Sequence, residues 1–397
     1  PSASTQCLPA ASTVAALVAQ ASLKKGGVKT LALGTPPSAL PAKTLNEEPF
    51  DYVCQGEGPL TIEVLLKQLR QECLSTAYLP KIPGLWVNTR VWPDVLPPPN
   101  IENLSRTLPR QAWSLLDMKK YRAHNWHLWT GDKDGGYASI QTSLGCSFKC
   151  EFCCINAPFG ERRMRFWNPA TIVNQIIHLV EDYGITNIKV ADEMFCLNRQ
   201  HVKAICKGLI THDLSSKLNM WAYARADTVK DEVMLTLMRE AGFRWLGIGI
   251  ESASKHVRDG VEKGRFGNEE IIAAVRRVQA TGIAVASNYI FGLPDDTAES
   301  MQQTLDLACE INSEMANFYC AMAYPGSPLH TIAKDKGWAL PEDDPTIGWI
   351  GYSQHAYETL PLPTETLTAQ QILDFRDEAF LCYFSRTSYR KLIREKF

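Results

Sequence analysis

The sequence predicts an α/β protein: a six-unit partial (βα) TIM-like barrel with part of a Rossmann-like domain in front of it. Three observations predict this. From about residue 137, six short apolar runs alternate with five amphipathic stretches at helical spacing, the pattern of βα units on a parallel sheet, and six units are too few for a closed eight-fold barrel. Near the start, strand-like runs at Val28–Leu33 and Asp51–Cys54 are followed by an amphipathic stretch at 60–70, which is half of a doubly wound domain. Between these parts, residues 75–125 carry Pro80, Pro83, Pro93 and Pro97-Pro98-Pro99, a density that suits an ordered but irregular bridge. The expected divisions are 1–75, a Pro-rich connector at 76–130, a core at 131–335, and a helical extension at 336–397.

In chain order, residues 12–25 read as a helix from Val14, Leu17, Val18 and Leu23, with a basic last turn and Gly26. Strand 28–33 leads into a Gly/Pro loop, Gly34–Pro41, and strand 51–54 leads into Gln55-Gly56-Glu57-Gly58. A half-sheet of this kind leaves an open edge, which is a liability. Gly84-Leu85-Trp86 reads as a short β excursion, and Leu108–Leu116 offers apolar groups for packing. The core then opens with a strand at Tyr137–Ser143. Asn168 caps the next helix, Pro169 takes its first position, and Ile172, Val173, Ile176, Ile177 and Val180 line one face before Gly184. Strands follow at 186–191, 219–224, 244–250, 283–291 and 317–323, with helices at 199–211, 230–241, 268–281 and 297–312. In the tail, Trp349, Tyr352, Tyr357 and a helix at 367–384 are expected to close the mouth of the partial barrel or line a substrate pocket, with Lys391–Lys396 a solvated helix end.

With 45% apolar residues the chain can bury a large core, and a net charge of −2 with a pI near 6.5 makes no electrostatic case for nucleic acid or a membrane surface. No apolar run reaches the roughly 18 residues of a membrane span. Twelve Cys without a secretory signal read as reduced thiols plus a metal site, hence a cytoplasmic setting. Pro1 is read as a point inside a longer chain.

The chemistry concentrates in Cys146-Ser-Phe-Lys-Cys150-Glu-Phe-Cys153. Three thiols this close can converge on one metal centre. Iron–sulfur clusters normally take four thiolates, so a set of three leaves an open coordination position and suggests a reactive site. A zinc knuckle would need a fourth ligand nearby, and the adjacent Cys154 makes a strained chelate. In parallel sheets ligands gather at the carboxyl ends of the strands. Asp192 and Glu193 follow the second strand, Arg225 the third, and Gly247-Ile-Gly249-Ile-Glu251-Ser252 the fourth. Two carboxylates at a strand end can also be a helix cap, and Arg225 can simply pair with Asp227. Alternating glycines admit a ligand to the backbone.

The CxxxCxxC spacing with Phe152 before the last thiol resembles the cluster motif of the radical S-adenosylmethionine (SAM) superfamily. The run Gly-Ile-Glu-Ser, the stretch Asn288–Pro294 and the turn Ala323–Pro328 are similar to further motifs of that family in the expected order. The resemblance implies a [4Fe–4S] cluster on Cys146, Cys150 and Cys153. It implies SAM at the open iron, held by Phe152, Cys154, Asp192, Glu193, Arg225, Gly249, Glu251, Ser252 and Asn288. Asp192 and Glu193 would meet the amino group, Arg225 the carboxylate and Glu251 the ribose hydroxyls.

Residues 31–58 resemble the last third of the cobalamin-binding domain that precedes the core in one subgroup, which implies cobalamin contacts at Ser4, Gly34, Thr35, Gly56 and Glu57. Two departures stand: the family's paired glycine is Gly34-Thr35 here, and its Asp-x-His-x-x-Gly segment does not occur in these residues. The implied activity is SAM cleavage to a 5'-deoxyadenosyl radical for cobalamin-dependent methylation of an unactivated carbon or phosphorus centre. The implied partners are a small-molecule or natural-product substrate and an electron donor of flavodoxin or ferredoxin type, with no nucleic acid and no membrane. The alternatives are a radical oxidative cyclase or rearrangement without methyl transfer, and, more distantly, a non-catalytic iron–sulfur or zinc scaffold. Methylthio transfer would ask for a second cysteine set, and Cys7, Cys54 and Cys73 are scattered.

Overall fold

The structure, a computed structural model, describes residues 13, 15–18, 27–70, 81–87, 95–108, 110–122, 136–264 and 266–397. Most of the helix expected at 12–25 and the cobalamin contact expected at Ser4 lie outside these residues. The chain forms two compact units, one from Pro1–Glu102, Ser147–Arg163 and Ala321–Pro363, the other from Asn103–Cys146, Met164–Cys320 and Thr364–Phe397.

In the first unit, β1 (Leu31–Leu33), β2 (Tyr52–Cys54) and β3 (Leu85–Val87) make one sheet in that order. The first pair is parallel and the second antiparallel. The short β excursion read at 84–86 is therefore the strand that covers one edge of β2. Tyr52, Leu65, Ile82, Leu85 and Val87 form the core under it. The loop expected at Gly34–Pro41 is instead helical, with helices at Thr35–Ala39 and Pro41–Glu47. Both begin with Pro in the first turn, where its missing N–H and fixed φ cost nothing.

The cysteine-loop segment packs inside this unit too. The Leu329 N–H donates to the Glu151 carbonyl at 2.9 Å, and Phe152 lies against a core of Ala323, Leu329, Ala333, Leu340 and Leu362. Trp349, expected to serve the barrel mouth or its pocket, donates from Nε1 to Glu48 Oε1 at 2.7 Å. Tyr352, fully buried, donates to Glu342, whose other oxygen meets His330 Nε2 at 2.6 Å. These two aromatics belong to the first unit's own packing.

The second unit is built on six parallel strands: β4 (Gly136–Ile140), β5 (Ile185–Val190), β6 (Asn219–Arg225), β7 (Phe243–Glu251), β8 (Ala284–Phe291) and β9 (Met315–Cys320). They lie in chain order across the sheet, each βα unit laid beside the one before it. The helices between them are α1 (Pro169–Tyr183), α2 (Arg199–Thr211), α3 (Glu232–Glu240), α4 (Asn268–Ala280) and α5 (Ala298–Ile311). The cap read at Asn168 is made, its side chain accepting from the Ala170 N–H, and Gly184 ends α1 in the left-handed region at φ +63°. The strand expected to run to Ser143 stops at Ile140. The backbone then turns, and Ser143–Leu144 pairs antiparallel with Arg165–Phe166.

Burial alternates along each strand. Ile188, Val190, Ala222, Ala224, Leu246, Ile248, Val285, Ala316 and Phe318 are buried, as expected beneath covering helices. The intervening positions, among them Tyr137, Lys189, Tyr223, Gly249, Asn288, Asn317 and Tyr319, are only half-buried. One face of the sheet is thus a solid core and the other is partly open. The open face is filled at one end by Trp221, Trp245, Ala284 and Ala286.

On the covered face, α6 (Ala369–Ser385) packs Phe375 and Tyr383 against Phe291 and Phe318, and α7 (Thr387–Lys396) runs on from it to the floor. Phe397 stacks on Trp245 at 5.9 Å, and Lys396 Nζ meets the buried Glu314 carboxylate at 2.5 Å. Glu314 and Trp245 stand at the amino ends of β9 and β7. The second half of the tail therefore seals the end of the sheet opposite the strand-end carboxylates, and Lys396 is an anchor and not part of a solvated helix end.

Candidate active site

The residues at the carboxyl ends of β4–β7 fall into those with free chemistry and those already committed. Asp192, which follows β5, is fully buried. Its Oδ1 accepts from the Thr142 N–H at 2.6 Å, and its Oδ2 accepts from Thr142 Oγ1 and Ser143 Oγ, each at 2.6 Å. It ties the end of β5 to the turn that leads into Gly145 and Cys146. Burial pushes its pKa up against the pull of these donors. His201 Nε2 lies 3.1 Å from Thr142 Oγ1, and burial lowers the imidazole to about 4. The ring is neutral, so its Nε2–H can donate to the hydroxyl that itself donates to Asp192. Of the carboxylate pair read at 192–193, Asp192 is spent on structure.

Glu193 is not. Burial pushes its carboxyl up to about 8, its pull from the Gly145 backbone notwithstanding, and its Oε2 is buried with no hydrogen-bond partner. A carboxyl so placed gains from a cationic or donating ligand.

Arg225 ends β6 with 2% exposure. Its Nε and one terminal nitrogen form a fork on Asp227 at 3.0 and 3.1 Å, and the same nitrogen donates to the Lys263 carbonyl. The pairing with Asp227 that stood as the alternative is the one formed. The guanidinium read as a carboxylate receptor thus has a carboxylate of its own, two residues along the chain.

Glu251 ends β7 at φ +67°, a left-handed conformation that costs an ordinary residue roughly 1–2 kcal/mol. The kink turns its side chain toward Lys263, whose Nζ donates to Oε1 at 2.8 Å with both side chains under a tenth exposed. Oε2 is buried and has no partner. The glycines before it have steric reasons. A Cβ on Gly249 would stand 2.7 Å from Glu251 Oε1 and 2.9 Å from Lys263 Nζ, and one on Gly247 would stand 2.9 Å from the Tyr223 ring. Both glycines therefore make room for side chains of the protein itself.

Ser252 is fully buried. Its Oγ bonds Thr304 Oγ1 at 3.2 Å and accepts from the Ser254 N–H, tying β7 to α5. Asn288 lies within β8 and not at its end. It is in register with Gly249 and Asn317 and accepts from Asn317 Nδ2 at 2.9 Å.

Lys263 escaped the sequence reading because nothing local marks it. It lies twelve residues from its carboxylate, beyond any helical or strand spacing.

Cys146 is buried, Cys150 half-buried and Cys153 exposed, none of them in a disulfide. The Cys153 N–H donates to the Cys150 carbonyl at 3.1 Å in a tight turn. Burial raises the neighbouring Cys154 thiol to about 11, which makes it a poor thiolate donor. Among the described residues no three His, Cys, Asp or Glu gather as ligands of one ion. Three thiols within eight residues, with an accessible end, fit a cluster, and the partnerless carboxyl of Glu193 fits a ligand bearing an amine.

In the first unit, Gly34 follows β1 at φ +123°, a conformation only glycine adopts freely, and Thr35 opens the helix after it. The Gly56 N–H donates to Ser38 Oγ at 3.1 Å, which knits the turn after β2 to the helix after β1. A Cβ on Gly56 would stand 2.5 Å from Pro98, so Gly56 is packed under proline. Of the cobalamin contacts expected here, Gly34 and Thr35 stand at a strand's carboxyl end, Glu57 adjoins Gly56, and Gly56 makes no open cradle.

Residues 140–308 match the family model described as the radical SAM superfamily. The chain carries a radical SAM domain over those residues. The chain is 28% identical over 351 residues to an uncharacterized methyltransferase, PH0819, of Pyrococcus horikoshii, a match covering 87% of this chain and 70% of that one. It is 29% identical over 305 residues to the anaerobic magnesium-protoporphyrin IX monomethyl ester cyclase of Rubrivivax gelatinosus, covering 74% of this chain and 50% of the cyclase. Among solved structures it resembles the radical SAM methyltransferase TsrM from Kitasatospora setae with cobalamin and a [4Fe–4S] cluster bound. The TM-score is 0.65 at 20% identity, over 83% of this chain and 61% of that one, a likeness of fold. The chain thus spans 50 to 70% of the length of these proteins. No helix among the described residues is long and apolar enough to cross a membrane.

Proposed function

We propose that this radical SAM protein performs cobalamin-dependent methylation of an unactivated carbon or phosphorus centre in a small-molecule substrate. The observation that carries the reading is the extent of the methyltransferase match: at 87% of the chain it reaches well beyond the radical SAM segment at 140–308. When bound, the cluster and SAM supply a deoxyadenosyl radical, and cobalamin carries the methyl group.

The chain's own residues bind and orient. Cys146, Cys150 and Cys153 hold the cluster. Glu193, with its unpartnered oxygen, receives the SAM amino group. Glu251 accepts from the ribose through Oε2, while Lys263 keeps Oε1 fixed. Phe152 and the Cys154 backbone border the adenine. Asp192, Arg225, Gly249, Ser252 and Asn288 hold these groups in place. Gly34 and Thr35, at the end of β1, are the candidates to meet cobalamin.

The test is anaerobic reconstitution with iron and sulfide, addition of hydroxocobalamin, and reduction in the presence of SAM carrying a labelled methyl group. Expected are 5'-deoxyadenosine and label on the bound cobalamin. Absence of both, with zinc on the three cysteines, would sink the reading. The cyclase relative favours a second reading, oxidative ring formation without methyl transfer. It predicts 5'-deoxyadenosine with no label leaving SAM.

A further inference from the structure

The open face of the six-stranded sheet carries a cation that the site described above does not use. Lys189 is the fifth residue of β5, Ile-Thr-Asn-Ile-Lys-Val, on the half-buried side of the strand. Its Nζ lies 4.6 Å from the centroid of the Trp221 ring and 5.3 Å from that of Tyr223. No carboxylate among the described residues pairs with it. Burial alone lowers its pKa, with no opposing charge to raise it. Two aromatic faces compensate a cation only in part, so a desolvated ammonium here is left short of an anion.

The groups around it suit a ligand better than a core. Tyr223, with Tyr137 and Tyr319 near it, adds phenol hydroxyls on the same open side. Asn317 lies in the next row across the sheet. In a closed barrel such positions are filled by branched aliphatics in packed layers. Here they are a lysine, three tyrosines and an amide, none fully buried, above a sealed aromatic floor.

We infer that Lys189 is the specificity-determining residue for the substrate, binding an oxyanion group while the substrate's apolar body lies on the Trp221 and Tyr223 rings. The substrate class is then a small organic anion, carrying a carboxylate or a phosphate-type group. This deepens the proposed function and rests on its premise that the open face receives a substrate.

Three probes that share one body test it: 3-phenylpropionate, 3-phenylpropylphosphonate and the neutral 3-phenylpropionamide, each titrated calorimetrically into the full chain with SAM present. At least one anion should bind about tenfold or more tighter than the amide, and the tighter of the two distinguishes carboxylate from phosphonate. Lys189→Met should abolish the preference and Lys189→Arg should retain part of it. Equal binding of anion and amide, failure of both anions to bind, or a preference that survives Lys189→Met would each overturn the inference.

A second measurement guards against a variant that does not fold. In the wild-type chain, acetylation of Lys189 followed by mass spectrometry should slow about threefold or more with 3-phenylpropionate, and not with the amide. Unaltered labelling would also overturn the inference. Neither readout needs SAM cleavage or methyl transfer. A chain inert in both reactions yet selective for anions would refute the proposed function and leave Lys189's role standing, and the reverse result would do the opposite.

Discussion

Replacing Lys263 by Met tests the central electrostatic feature of the site. The Lys263–Glu251 pair is 2.8 Å long, with side chains 6% and 8% exposed, and methionine keeps the stem while removing the charge. Removing one partner of a buried pair leaves an uncompensated charge and costs roughly 3–5 kcal/mol. That is a large part of the roughly 5–15 kcal/mol that stabilises a typical domain. Solvent screening offers little discount here, because both side chains are almost entirely buried. The Lys263 carbonyl also accepts from Arg225, but the substitution leaves that backbone contact intact.

Equilibrium urea unfolding followed by tryptophan fluorescence should show the loss. The double variant Glu251→Gln with Lys263→Met, which removes both charges, should recover at least about 2 kcal/mol of it, a coupling of the size seen between contacting residues. A single variant within about 0.5 kcal/mol of wild type, the scatter of neutral substitutions, would refute the pairing. So would a double variant as unstable as the sum of its parts.

Other outcomes follow from the same geometry. His201 is held at about 4, below its ordinary 6.5, so the folded protein refuses a proton that the unfolded chain takes. Stability is lost as pH falls from about 6.5 toward about 4, on the order of 3 kcal/mol in all, and His201→Phe should flatten that acid limb in pH-resolved unfolding. Glu193 is raised to about 8 from 4.5. The folded state keeps its proton where the unfolded state has lost it, and stability falls as pH rises from about 4.5 through 8 by up to about 1.4 kcal/mol per unit. Glu193→Gln should remove this slope and weaken SAM binding measured by calorimetry. Lys396→Met leaves Glu314, 1% exposed and also accepting from the Val285 N–H, without its cation. It should cost about 1–3 kcal/mol by thermal unfolding, with SAM affinity unchanged because the contact lies at the far end of the sheet.

Legibility in the sequence tracked the distance over which each feature is decided. The strand order β4 to β9, the Asn168 cap and the Gly184 stop were readable, because periodicity and caps are set within a few residues. The CxxxCxxC loop was readable for the same reason, since three ligands within eight residues need no help from the fold. The run Gly34–Pro41 was misjudged because proline both breaks helices and starts them, and only the surrounding chain selects between the two. Lys189 did leave a trace, a lone cation in a strand type that is usually continuously apolar.

What the sequence determined by itself, then, was the parallel sheet, the place of the thiols after its first strand, and the set of polar residues at the strand ends. The tertiary structure decided which of those residues still have chemistry to offer. Asp192 is consumed by Thr142 and Ser143, Arg225 by Asp227, and Ser252 by Thr304, while Glu193 and Glu251 each keep an unpartnered oxygen. Such contacts join side chains up to fifty-two residues apart. Their energy exists only once both are buried in one place, where an unmet hydrogen bond costs far more than it does in water.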